Sequence, residues 1–252
     1  MNINSNTVSN MHQSSGMDTI PYVSNIYSIY QKGNVKLINA DCMEIMKQYP
    51  DKYFDLLFAD VPYGIKADEK AYKNGVNGKA NGFKEHEKTE WDNETPDENY
   101  FKEARRISKN QIFFGANYYP QFLTGSMGWV FWYKMQDNFS FYDGEIIYTS
   151  FQKKTRILKY ARGNESGFSP KRKTTANIHP TQKPLGVYEK LISWYGNKEM
   201  KVIDTHLGSG SSAIVGFYFG FSEFVGTEIN PIIYEKSIKR FEVETMQQVL
   251  SL

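Results

Sequence analysis

The sequence predicts an α/β fold, with a mostly parallel sheet and helices on both faces. Short apolar runs of strand type alternate with segments of helical periodicity along the 252 residues. The run FDLLFAD (54–60) is almost continuously apolar, as expected for a strand that is covered on both faces. Near the C-terminus, KVID, SSAIVGFYF and EFVGTEI repeat the order strand, helix, strand. This alternation indicates a parallel sheet with crossover helices.

The elements follow in order along the chain. NVKLINAD (34–41) predicts a strand, and CMEIMKQYP predicts a helix that Pro50 ends. After the strand at 54–60, we expect a helix at 100–108 and strands in NQIFFGA, GWVFWYK and GEIIYTSF. A helix at 184–196 has proline at its start and glycine at its end, and YEKSIKRFEVETMQQ forms the last helix. Two polar segments without periodicity, at about 66–99 and 152–177, are predicted to be insertions with a functional role.

Length and composition limit the class of protein. The chain predicts a single domain at 23–252, preceded by a flexible segment at 1–22 that is rich in Asn and Ser. The net charge of +2 restricts any nucleic-acid surface to a local patch. Cys42 is the single cysteine, so we expect no disulfide within the chain and no metal site. No apolar run approaches the length of a membrane span, and we expect a cytoplasmic protein.

A glycine-rich loop follows the KVID strand and opens the next helix. Gly208, Ser209, Gly210 and Ser211 belong to a G-x-G-x-x-A pattern, in which small residues let the backbone approach a ligand at a helix N-terminus. Glu228 ends the following strand, where an acid accepts hydrogen bonds from ribose hydroxyls. The loop alone leaves NAD and S-adenosylmethionine open, as well as a plain tight turn. Its position late in the chain is unusual for a dehydrogenase.

A second motif, DVPY, ends the buried strand at 54–60. Pro62 restricts Val61 to an extended conformation and so determines the direction of the Val61 carbonyl. Taken alone, Asp60 could equally cap a turn, and Tyr63 could equally be a core aromatic.

DVPY, HPTQKP and DTHLGSGS, in this order, resemble the amino-methyltransferases of DNA in the permuted beta class. The resemblance covers about residues 34–245 and is closest to small phage and prophage adenine-specific enzymes. It implies a Rossmann-like S-adenosylmethionine-dependent methyltransferase sheet with a circularly permuted motif order. It also implies transfer of a methyl group to the N6 amine of adenine in DNA. Val61 stands where the family usually has proline, and because the role of that position is carried by its backbone, activity is expected to survive.

The same resemblance assigns the catalytic residues. The Asp60 carboxylate and the Val61 carbonyl accept hydrogen bonds from the target amine, whose lone pair is otherwise delocalised into the ring. Pro62 stiffens this turn, and Tyr63 stacks on a base turned out of the duplex. The amine nitrogen then attacks in line on the methyl group.

The resemblance further assigns a cofactor shell. The methionine part is lined by Asp204, His206, Gly208, Ser209, Gly210 and Ser211, and the ribose is held by Glu228. Asp41 and the Cys42 backbone lie beside the adenine amine, and Asp60 adjoins the cofactor. Thr181 and Lys183 belong to the HPTQKP loop, which closes over the methionine tail. His206 replaces the phenylalanine of many relatives and is equally expected to be a packed core residue.

A basic segment predicts the DNA surface. Residues 152–173 carry a single acid and eight basic side chains, namely Lys153, Lys154, Arg156, Lys159, Arg162, Lys171, Arg172 and Lys173. Such density suits phosphate contacts, although a solvated loop is the alternative. The lysines of 66–90 are a second candidate, and Asn117, Tyr118 and Tyr119 are candidates for the base pocket. Because the recognition segments are short, we expect a short target site or the help of a homodimer partner.

Three other functions stay open. Cytosine-N4 methylation needs the same geometry, although an acid at the first motif position resembles the adenine enzymes and serine is more frequent in the cytosine-N4 enzymes. Val61 is the only feature that favours a non-catalytic, methyltransferase-like DNA-binding subunit. The sequence does not separate DNA from RNA as the substrate.

Overall fold

The computed structural model describes residues 28–65, 94–135, 143–161 and 182–246. The predicted N-terminal segment 1–22 and most of the predicted insertions lie outside these ranges. So do the site candidates Thr181, Arg162, Lys171, Arg172 and Lys173.

Strands and helices alternate through the described chain, as the sequence predicts. The strands are β1 (Ser28–Lys32), β2 (Val35–Asn39), β3 (Phe54–Ala59), β4 (Ser108–Phe114), β5 (Val130–Tyr133), β6 (Gly144–Thr149), β7 (Arg156–Lys159), β8 (Lys201–Asp204) and β9 (Glu223–Glu228). The α-helices are α1 (Cys42–Met46), α2 (Glu98–Ile107), α3 (Leu185–Tyr195), α4 (Ser211–Phe219) and α5 (Pro231–Met246). Two 3₁₀ turns, Ala116–Tyr118 and Pro120–Phe122, follow β4. None of the helices in the described ranges is long and apolar enough to cross a membrane.

The strands form one sheet in the order β1-β2-β9-β8-β3-β4-β6-β5-β7. The pairings from β2 through β9, β8 and β3 to β4 are all parallel. β6 runs antiparallel between β4 and β5, and β1 is antiparallel at one edge. The predicted mostly parallel sheet is therefore confirmed, and β3 lies near its centre.

Helices cover both faces of the sheet, as predicted. Leu56 and Phe58 of β3 belong to one core cluster together with α3, α4 and α5. Leu57 and Ala59 belong to the second core cluster, with α1 and α2. All four side chains are fully buried. Burial of a leucine or phenylalanine side chain stabilises the fold by about 1.5–3 kcal/mol, so β3 is held firmly between the two layers.

The prediction of a polar insertion at 152–177 is wrong for residues 156–159, which form the edge strand β7. Within the described ranges, β7 pairs only with β5, and it buries only Leu158, while Ile157 and Lys159 are exposed. A strand of four residues with a single buried side chain leaves almost no alternation to detect. The hairpin strand β1 escaped prediction for the same reason, since most of its residues are exposed.

Candidate active site

The candidate site lies along one edge of the sheet, where the parallel strands β2, β9, β8, β3 and β4 end. Residue Asn39 pairs with Glu228, and Phe58 pairs with Asp204, so these strand ends are in register. Asp60 follows β3 directly, between the ends of β8 and β4. The carboxyl ends of the strands are where open α/β sheets bind ligands.

One cleft at this edge combines four residues of the predicted cofactor shell. Its lining includes Asp41, Cys42, His206 and Glu228, and the remaining lining residues are Ala40, Thr205, Thr227 and Ile229. Asp41 lies at the exposed rim, where its carboxylate caps α1 by accepting the Met43 N–H at 2.8 Å. Burial, reinforced by the Asp41 carboxylate, raises the pKa of the Cys42 thiol to about 12, so the thiol stays protonated.

Glu228 organises the glycine loop next to the cleft. Its Oε2 accepts the Gly208 N–H at 3.0 Å, and its Oε1 accepts the Asn230 N–H at 2.8 Å. Gly208 and Gly210 have φ angles of +52° and +78°, a region that glycine adopts without steric cost. The carboxylate keeps further lone pairs with which it could accept ribose hydroxyls.

Further hydrogen bonds hold the same loop, and they involve Asp204, Ser209 and Ser211. Asp204 is 1% exposed, and its carboxylate accepts the His206 N–H at 3.0 Å and the Ser212 hydroxyl. The Arg240 guanidinium of α5 donates to the Ser209 carbonyl at 3.0 Å and to the Ser211 hydroxyl at 2.9 Å. Arg240 was not anticipated from the sequence, because nothing local distinguishes a buried arginine in an amphipathic helix.

His206 lines the cleft and also packs against the protein. Its ring meets the Tyr100 ring edge-on with centroids 5.2 Å apart, and its Nδ1 lies 3.0 Å from the Thr205 hydroxyl. Burial lowers the pKa of His206 to about 4, so the imidazole is neutral at physiological pH. His206 can therefore shape the cleft without adding charge to it.

This low pKa predicts a pH-dependent stability. In the unfolded chain, His206 binds a proton below a pKa of about 6.5. In the folded protein, it binds this proton only at about pH 4. The free energy of unfolding should therefore fall as the pH decreases through that window. Between about pH 7.5 and about pH 5, urea unfolding should show the wild type losing about 1–2 kcal/mol more than His206→Gln. Equal losses in the two proteins would contradict this role of His206.

Asp60 is the centre of a buried charged cluster. Lys183 donates to both carboxylate oxygens of Asp60, at 2.7 and 2.8 Å, and the Tyr63 hydroxyl donates to Oδ1 at 2.6 Å. The side chain of Lys183 therefore contacts Asp60, whereas the sequence predicted it in the loop over the cofactor. Its carbonyl accepts the Ser211 hydroxyl at 2.8 Å, so Lys183 joins the glycine loop to the turn that follows β3.

Glu145 of β6 completes this cluster. Its Oε1 lies 2.9 Å from the Tyr63 hydroxyl, whose single proton it shares with Asp60, and 3.4 Å from Lys183 Nζ, and its Oε2 lies 3.1 Å from Lys134 Nζ. Glu145 and Lys134 were not among the site residues predicted from the sequence. The available signal was an acid inside the apolar run GEIIYTSF together with a lysine at the end of GWVFWYK.

The charges of this cluster balance, with two carboxylates facing two ammonium groups. Burial lowers the pKa of Lys183, but the Asp60 and Glu145 carboxylates outweigh it, so the net shift is upward and Lys183 stays protonated. Burial raises the pKa of Glu145, but Lys183 and Lys134 outweigh it and keep this carboxylate ionised. Burial also raises the pKa of Asp60, and the Lys183 ammonium offsets this rise only in part, so the net shift is upward.

Tyr63 is held by aromatic and backbone contacts as well as by this cluster. Its ring stacks on Tyr118, with centroids 4.8 Å apart and planes 12° from parallel. Gly115, with φ +66°, lies so close that a Cβ at this position would be 2.2 Å from Tyr63 Cε1. Tyr118 therefore lies beside the predicted stacking residue. Tyr119, the other aromatic candidate for the base pocket, is fully buried and donates its hydroxyl to the Phe114 carbonyl, so it belongs to the core.

The basic residues of 152–161 differ in their surroundings. Lys153 donates to the Trp194 carbonyl at 2.9 Å, and the Arg156 guanidinium lies 4.7 Å from the centroid of the Trp194 ring. Both therefore pack against α3. Lys154 and Lys159 are exposed, and Lys159 ends β7 at the same edge of the sheet as Asp60.

Comparison with known proteins identifies relatives among DNA methylases. The family model N6_N4_Mtase, described as DNA methylase, matches residues 106–239, a range that includes Glu145, Lys183 and the glycine loop but not Asp60. M2.MboI, a type II methyltransferase from Moraxella bovis, is 26% identical in an alignment 247 residues long. The match covers 82% of this chain and 88% of that protein. M.BamHI, a type II methyltransferase from Bacillus amyloliquefaciens, is 46% identical over 44 residues, or 18% of this chain and 10% of that protein.

A solved structure shares the fold. The PvuII DNA methyltransferase, which is cytosine-N4-specific, superposes with a TM-score of 0.57 at 12% identity, covering 88% of this chain and 94% of that chain. At this identity the likeness extends to the fold alone.

Proposed function

Because this chain belongs to the DNA methylase family that its residues 106–239 match, we propose that it transfers a methyl group from S-adenosylmethionine to the N6 amine of adenine in DNA. The observation that carries the proposal is the position of Asp60. This carboxylate directly follows the central strand β3, and Lys183 links it to the glycine loop beside the cleft, with its ammonium on Asp60 and its carbonyl on the Ser211 hydroxyl.

The residues of the cleft fit S-adenosylmethionine. Glu228 has carboxylate lone pairs for the ribose hydroxyls, and Asp41 and Cys42, which line the same cleft, would contact the adenine amine. The glycine loop and the start of α4 are suited to the methionine carboxylate. When bound, the cofactor supplies a methyl group on a positively charged sulfur.

The chemistry follows from hydrogen-bond acceptors that face one amine. The Asp60 carboxylate and the Val61 carbonyl accept the two amine hydrogens, which localises the lone pair on nitrogen. Stacking on Tyr63 holds a base turned out of the duplex. The amine nitrogen would take the methyl carbon as the sulfonium sulfur keeps the electron pair of its bond to that carbon, and the amine would release one proton to solvent. Holding the reacting atoms in line supplies much of the rate.

The choice between adenine and cytosine rests on one residue. Asp60, an acid at the first position of its motif, favours adenine-N6. The PvuII enzyme, whose fold is shared, is cytosine-N4-specific, so the fold does not discriminate.

The test of this choice is to methylate mixed-sequence duplex DNA in vitro and to identify the modified nucleosides by mass spectrometry after complete digestion. We expect N6-methyladenine. N4-methylcytosine as the only product would move the substrate to cytosine and leave the role of Asp60 unchanged.

DNA is proposed to approach the carboxyl edge of the sheet. Lys159 is exposed at this edge, and Arg162, Lys171, Arg172 and Lys173 follow it in sequence. Lysine and arginine at this density would contact phosphates and supply affinity without sequence preference. A homodimer partner would extend the short surface that one chain offers.

A further inference from the structure

We propose that Glu145 is a positioning residue that receives the Lys183 ammonium when the target amine binds to Asp60. This inference rests on the proposed function. It assigns Lys183 two positions, one on Asp60 before the base enters and one on Glu145 during methyl transfer.

The geometry provides both positions within one buried cluster. Lys183 Nζ lies 2.7 and 2.8 Å from the Asp60 oxygens and 3.4 Å from Glu145 Oε1. A small rotation of the lysine side chain would exchange one carboxylate for the other. The Lys183 side chain is only 8% exposed, so its ammonium is largely shielded from water and pairs with these two acids.

The target amine must bind to the same Asp60 carboxylate oxygens that Lys183 contacts. Asp60 Oδ1 already accepts both Lys183 and Tyr63, and Oδ2 accepts Lys183, while the Asp60 side chain is 19% exposed. An incoming amine must therefore share or displace the ammonium. A positive charge at Asp60 would also oppose the positive charge that develops on the amine nitrogen as the methyl group is transferred.

Glu145 has the surroundings that the second position requires. It is 8% exposed and ionised, and it contacts Lys134 through Oε2, which leaves Oε1 facing Lys183 and Tyr63. The Tyr63 hydroxyl bridges Glu145 and Asp60, so the turn that carries the base-stacking ring is tied to the same acid. The Glu145 carboxylate therefore provides a buried counter-ion for Lys183 while the Asp60 carboxylate binds the target amine.

The test compares Glu145→Gln with the double variant Glu145→Gln/Lys183→Met. Glutamine keeps the volume and an acceptor for Tyr63 but removes the charge that would draw Lys183 away from Asp60. The single-turnover rate of methyl transfer should fall about 100-fold at saturating cofactor and DNA, as for other lost electrostatic contacts. Cofactor affinity should change less than about twofold, because Glu145 does not line the cleft.

The double variant separates this role from a structural one. Without the Lys183 ammonium, the Asp60 carboxylate can accept the target amine. The single-turnover rate of methyl transfer should therefore be at least about tenfold higher than that of Glu145→Gln. The double variant also removes one charge of each sign, so the cluster stays balanced even where the single variant folds poorly. Glu103→Gln, which only breaks an ion pair with Arg106 on α2, is the matched control and should keep wild-type activity.

The outcomes distinguish this inference from the proposed function. A wild type that transfers no methyl group to DNA overturns both. An active wild type with an equally active Glu145→Gln, or a double variant slower than Glu145→Gln, overturns the role of Glu145 alone.

Discussion

Replacing Asp60 with alanine should reduce methyl transfer by about 1,000-fold or more, because the substitution removes the acceptor that localises the amine lone pair. Cofactor affinity should fall less than about tenfold, since Asp60 does not line the cofactor cleft. The Lys183 ammonium keeps Glu145 as a counter-ion at 3.4 Å, so we expect the variant to fold. Single-turnover rates and calorimetric cofactor binding measure the two effects separately.

Asp51→Ala is the matched control for this substitution. Asp51 is 76% exposed and pairs with Arg106 on the surface, where an ion pair contributes at most about 1 kcal/mol. The control should keep wild-type activity. An Asp60→Ala protein that retains more than about a tenth of the wild-type rate would show that the carboxylate is not the essential acceptor.

Gly115→Ala should be the second large effect. The new Cβ would lie 2.2 Å from Tyr63 Cε1, and the positive φ of +66° adds backbone strain. Tyr63 cannot yield easily, because its other contacts include the Tyr118 stack and the Asp60 hydrogen bond. We expect a loss of about 100-fold in methyl transfer from the displaced ring and about 1–3 kcal/mol in the free energy of unfolding.

Gly33→Ala separates strain from displacement. Gly33 has a similar φ of +59°, but a Cβ there would meet nothing within 4 Å, and the residue lies in the β1–β2 hairpin. It should cost about 1 kcal/mol of stability and leave the rate of methyl transfer unchanged. Equal activity of the two glycine variants would contradict the placement of Tyr63.

Local patterns were sufficient to predict most of the fold. The continuous apolar run that ends at Asp60 identified a strand buried on both faces, and the late strand–loop–helix unit placed Glu228 beside the glycine loop. Both depend on properties that neighbouring residues share, namely apolar periodicity and small side chains at a turn. The same patterns predicted the parallel centre of the sheet.

The charged cluster could not be predicted in this way. Glu145 and Lys183 are brought together only because β6 inserts beside β4 and Lys183, two residues before α3, reaches across the end of β3. No spacing in the sequence reports such a contact. The motif that contains Lys183 suggested the cofactor, whereas its side chain contacts the Asp60 carboxylate.

The most direct test is single-turnover transfer of a tritiated methyl group from S-adenosylmethionine to mixed-sequence duplex DNA. Wild type and Asp60→Ala should be compared at equal occupancy of cofactor and DNA. We predict label in the DNA with the wild type and almost none with the variant. A wild type that binds cofactor and DNA but transfers no label would contradict catalysis at Asp60 and identify the chain as a methyltransferase-like binding subunit.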